Sequence, residues 1–144
     1  MVVAVFVLSI LSLIVVNSIA IPTQTKTYGN RGTVKAVGVG VYWDLACTNA
    51  VPSIDWGMVN PGSNANKSIY IRNEGNVAAI LSMTVSSWSP ANASSYLTLG
   101  WNYAGTALSV NQVIQVKLTL YISSSITGIT NFDFAMTLAA SGQK

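Results

Sequence analysis

From Met1 to Ile21 the chain reads MVVAVFVLSILSLIVVNSIAI, with no charged side chain, no Gly and no Pro. Beyond Pro22 the pattern changes to polar and apolar residues alternating with period two. A run of about 20 apolar residues makes a helix roughly 30 Å long, the thickness of a bilayer's hydrocarbon core. An α-helix is therefore predicted over 1–21, with Val2, Val5, Phe6, Leu8, Ile10, Leu11, Leu13, Ile14, Val15 and Val16 as its contact residues. β-branched residues are mediocre helix formers in water. Away from water the backbone must bond to itself, and a helix does so. Three fates fit such a segment: it anchors in lipid, is removed as a targeting signal, or packs against other copies of itself. No basic n-region precedes Val2, although Asn17-Ser18-Ile19-Ala20 has the look of a small-residue cleavage site. The nearest cations, Lys26 and Arg31, both lie on the C-terminal side.

Residues Pro22 to Gly32 (PTQTKTYGNRG) form a polar connector punctuated by turn residues. Alternation then predicts strands. Thr33 to Trp43 carries two glycines that suggest a bulge or a close backbone approach. Lys67 to Asn73 puts Ile69 and Ile71 on one face. Ala78 to Trp88 does the same with Leu81, Met83 and Val85, and Tyr96 to Tyr103 with Leu97, Leu99 and Trp101. Val113 to Ile122 turns Ile114, Val116, Leu118, Leu120 and Ile122 inward, and Asn131 to Leu138 turns in Phe132, Phe134, Met136 and Leu138. Ser53 to Gly57 adds a shorter piece. Pro61-Gly62-Ser63, Glu74-Gly75-Asn76, Ala104-Gly105 and Thr127-Gly128 supply the turns. Seven or eight short strands in about 110 residues predict an all-β immunoglobulin-like sandwich. The expected organisation is a hydrophobic helix (1–21), a connector (22–32) and a β-domain (33–144).

Composition narrows the chemistry. Charged residues are 8% of the chain, against about 25% in ordinary soluble domains. The net charge of +3 comes from scattered residues, so no nucleic-acid partner is expected. Histidine is absent and Cys47 stands alone. That removes the commonest general base and leaves a thiol without a pairing imidazole. The carboxylates Asp44, Asp55, Glu74 and Asp133 fall beside strands and turns, where capping is their ordinary role; a calcium site of Asp44, Asp55 and loop carbonyls is the one metal alternative, although no spacing among them resembles a calcium loop. Neither an enzymatic activity nor a cofactor or metal is expected. The aromatics, among them Trp43, Trp56, Trp88 and Trp101, permit carbohydrate stacking, but core or interface packing is their expected use. Asn66-Lys67-Ser68 and Asn92-Ala93-Ser94 are N-glycosylation triplets.

The order of these parts resembles an archaeal type IV pilin. The resemblance is carried by the apolar run Val2 to Ile21, the joint Gly29-Asn30-Arg31-Gly32, the opening GTVKAVGVGVY and the stretch Ile69 to Val77 (IYIRNEGNV), which looks like a strand, Asn-x-Gly, strand hairpin. The acidic residue that bacterial type IV pilins place near the helix start is missing. The resemblance implies a self-assembling extracellular filament subunit, inserted in the cytoplasmic membrane before assembly. Its helices would bundle in the core, and its β-domains, contacting surface glycans, would lie outside. A second resemblance is to archaeal bundling-pilus and bacterial biofilm-fibre subunits. It implies removal of residues 1–20 as a signal and joining of domains by a donated strand over about Ile21 to Val37. A monomeric membrane-anchored surface domain is the remaining alternative.

Overall fold

Strands form where alternation predicts them in a computed structural model that describes residues 29–142. The predicted helix, with Val2 through Val16, lies outside the described residues. In chain order the strands are β1 (Arg31–Val37), β2 (Val39–Tyr42), β3 (Ser53–Asp55), β4 (Asn64–Asn73), β5 (Ala79–Ser89), β6 (Leu97–Trp101), β7 (Val113–Ile122) and β8 (Asp133–Gly142). They make two four-stranded sheets, β3-β1-β8-β5 and β2-β4-β7-β6. All pairings are antiparallel except β1 with β8. The chain is an all-β two-sheet sandwich over the described residues.

The period-two faces meet in one core. Ile69 and Ile71 of β4, Leu118 and Leu120 of β7, and Leu138 of β8 are fully buried. Their neighbours Ser68, Lys117 and Thr137 point the other way. Burial of each such aliphatic side chain stabilises by about 1.5–3 kcal/mol. An aromatic cluster fills one end, where Phe134 lies 4.6 Å from Trp88 and 6.3 Å from Phe132, centroid to centroid.

The structure departs from the sequence reading in three places. The run 33–43 is two strands in opposite sheets, because Gly38 (φ +72°) turns the chain from β1 into β2. A left-handed φ of that kind suits glycine, which has no Cβ to clash. The sandwich also begins at Arg31, so it absorbs the last two residues of the expected connector. The segment Ile69 to Val77 is not a hairpin: β4 and β5 belong to different sheets, and the Asn-x-Gly turn is an arch between them.

Strand directions give the domain two distinct ends. Arg31 is level with Asp133 where β1 and β8 begin, and Ala79 is level with Gly142 where β8 finishes. The chain therefore joins the sandwich at a near end and its described C-terminus leaves at a distal end.

Candidate functional site

At the near end the joint is made by Asn30. Its Oδ1 accepts the Phe132 N–H at 3.1 Å, and its Nδ2 donates to the Gly57 carbonyl at 2.9 Å. Its own carbonyl accepts the Trp56 N–H at 2.9 Å. One short amide thus ties the incoming chain to the loops after β3 and before β8. Asp55 holds the first of these loops by accepting the Gly57 N–H at 2.8 Å. Beside the joint is an open cleft of about 430 Å³, with Asn30, Asp55, Val59 and Asn131 in its walls. Met58, 98% exposed, stands at its rim.

The outer face of the β2-β4-β7-β6 sheet carries a polar triad. The Glu74 carboxylate accepts the Tyr42 hydroxyl at 2.6 Å and Arg72 Nη2 at 2.5 Å, and the guanidinium lies 5.3 Å from the Tyr42 ring centroid. The Tyr42 hydrogen bond, then that of Arg72, holds the Glu74 carboxyl below its usual range, and the same carboxylate raises the Tyr42 phenol. Gly40 makes the arrangement sterically feasible, since a Cβ there would collide with the Tyr42 ring and the Glu74 carboxylate.

Two groups organise the distal end. Asn73 is fully buried: its Nδ2 donates to the Val77 and Leu108 carbonyls at 2.8 and 3.0 Å, and its Oδ1 accepts the Gly75 N–H at 2.9 Å. Backbone polar groups of the arch and of the 108–112 turn are thereby satisfied inside the protein, as burial requires. The Tyr103 hydroxyl accepts the Leu81 N–H at 3.1 Å and donates to the Thr106 carbonyl at 2.6 Å, so it braces the loop after β6 against β5 of the opposite sheet. An open pocket of about 220 Å³ lies beside this loop.

The two glycosylation triplets stand on different elements. Asn92 is exposed on a 3-10 turn, Ala91–Ser95, pinned by buried Ala93. Asn66 is exposed within β4, its Oδ1 accepting the Thr119 hydroxyl at 2.8 Å. Trp56 is buried and Trp43, Trp88 and Trp101 pack against the core, which is where packing rather than sugar stacking would put them. Asp44 caps its own loop through Thr48. Among the described residues no group of three acidic, His or Cys side chains is placed to hold a metal. Cys47 is half-buried in the Asp44 loop. The joint residue Asn30 and the hub Asn73 were visible in sequence only as members of turn signals. Tyr103 stood out in sequence only as one of several aromatics, and its bracing role was hidden because its partners are 22 residues before it and three after.

No protein-family model matches the chain, and no curated protein matches it.

Proposed function

We propose that the chain is a structural subunit of an extracellular filament, a pilin without enzymatic activity. One observation carries the reading: an uncharged 21-residue run leads into one end of a completed sandwich, through an asparagine tied to two loops there. In this reading Val2 to Ile21 of many copies bundle in the filament core, near ends face inward and distal ends face out. A dozen buried aliphatic side chains per subunit would contribute more than about 20 kcal/mol before association entropy is subtracted. Before assembly the same segment resides in the cytoplasmic membrane. The finer fold assignment is immunoglobulin-like. The order β2-β4-β7-β6 and the pair β5-β8 support it, corresponding to strands A-B-E-D and C-F. Glycans on Asn66 and Asn92 would solvate a surface poor in charge.

A specific observation favours a second mode of assembly for the same filament. The place beside β8 that a last strand would take is occupied by β1, parallel to β8 and joined to β2 through Gly38 alone. A strand so attached could be donated to a neighbour. Its pairing on both flanks within its own domain supports the helix core instead.

A disulfide separates the two. Lys35 and Thr137 are register partners, and strand spacing of about 4.7–4.9 Å suits a cystine bridge. In a Cys47→Ser background, Lys35→Cys with Thr137→Cys locks β1 in place. Filaments that still form when oxidised support the helix core. Filaments that form only when reduced support strand donation. If negative-stain imaging of the unaltered protein shows single particles under every condition, the filament reading falls and a monomeric, membrane-anchored surface domain replaces it.

A further inference from the structure

We propose that the distal cavity binds one neutral sugar unit of a surface glycan; its use in adhesion rests on the filament reading, whereas its chemistry does not.

The cavity exists because β6 stops before β7 does. Asn102 makes the last pairing, donating its N–H to the Lys117 carbonyl at 3.2 Å and accepting the Lys117 N–H on Oδ1 at 2.7 Å. The chain then leaves this sheet, and Leu108 bridges to Ala79 of the other one. Backbone groups alternate sides along an antiparallel strand. The Gln112 carbonyl accepts from Asn73 on the β4 side, and Lys117 pairs on the β6 side. By the same alternation Gln115 directs its N–H and carbonyl to the β6 side, where no strand continues. One peptide donor and one acceptor are left facing the gap.

Side chains add to them. The Asn102 oxygen is taken by Lys117, which leaves Nδ2 to donate. The Gln112 Oε1 accepts the Ser109 N–H at 2.8 Å, which likewise leaves its NH2 group. Gln115 and Thr106 also line the space. Because the Tyr103 hydroxyl is already used twice, that residue offers its ring, and Ile114 extends the apolar wall.

No charged side chain lines the cavity, so neither an anion nor a cation would find a counter-charge to offset its desolvation. A peptide strand is disfavoured, because the open edge is only Val113 to Gln115 long before the crossing loop closes it. At about 220 Å³ the space is below the usual range for drug-sized ligands and suits a single ring. A sugar presents hydroxyls that both donate and accept beside an apolar C–H face, and this lining matches both.

The test uses the full chain and ligand-observed NMR with the methyl glycosides of glucose, galactose, mannose and N-acetylglucosamine, and with methyl glucuronide as the charged control. Saturable binding of at least one neutral glycoside is expected, with Kd on the order of 1 mM. Gln115→Ala should weaken it about tenfold, and Ala107→Trp, which fills the space, should abolish it, both with an unaltered thermal unfolding curve. The proposal is overturned if no neutral glycoside saturates, if the glucuronide binds best, or if both variants bind as the unaltered chain does. Sugar binding by a protein that never polymerises would keep the pocket and remove the filament.

Discussion

Asn30 and Phe132 lie 102 residues apart in sequence, and a 3.1 Å hydrogen bond from the Phe132 N–H to Asn30 Oδ1 fixes where the chain joins the sandwich. Asn30→Ala is expected to destabilise the domain by about 1–3 kcal/mol, the cost of leaving backbone groups unpaired. Urea unfolding of the two proteins measures it, and a difference below about 0.5 kcal/mol would remove Asn30 from this role.

Gly40 and Tyr42 form a second tight pair. Gly40→Ala should displace the Tyr42 ring and the Glu74 carboxylate, both ends of side chains that can move, and cost about 1 kcal/mol, the low end of overpacking. Adding Tyr42→Ala removes one of the two groups the methyl meets, so the double variant should lose less than the sum of the singles. Strict additivity in thermal unfolding would show that the ring is not what the methyl group meets.

Asn73 needs an amide, because it both donates and accepts inside the protein. Asn73→Ala leaves the Val77 and Leu108 carbonyls and the Gly75 N–H without their side-chain partner, with an expected loss of about 3 kcal/mol. Asn73→Asp should be worse at neutral pH, since a carboxylate can only accept and would face two carbonyl oxygens. Chemical denaturation of both variants gives the order, and an Asp variant more stable than the Ala variant would contradict it.

Acidification has a predictable direction. The Tyr42 and Arg72 hydrogen bonds depress the Glu74 carboxyl, and the Thr48 hydroxyl, then the Thr48 N–H, depresses Asp44. A depressed carboxyl contributes stability above its ordinary range and loses it as pH falls through the lowered folded value. The melting temperature should therefore fall as pH drops through and below the carboxylate range, less steeply in Glu74→Gln and Asp44→Asn. Both groups meet solvent, so salt should shrink the difference. Parallel melting curves for all three proteins would refute the assignment.

Most of the β-structure was legible in the chain. Leu118, Leu120 and Ile122 announce an inward face because a half-buried strand must alternate, and alternation is a local property. The same holds for Phe134, Met136 and Leu138. The Thr33 to Trp43 run shows where this stops: its glycines signalled a special backbone, but the choice between a bulge and a change of sheet depends on what lies across the core.

The sequence by itself determined which residues would form strands, which face of each would be buried, and that a 21-residue apolar run precedes them. Only the tertiary structure decided that β1 lies parallel to β8, that Asn73 rather than a hairpin turns the chain between sheets, and that β6 leaves β7 uncovered at Gln115. Side-chain periodicity acts between neighbours along the chain. Strand partners are chosen by backbone groups and core volume that come together across long stretches of sequence, and no local pattern encodes that choice.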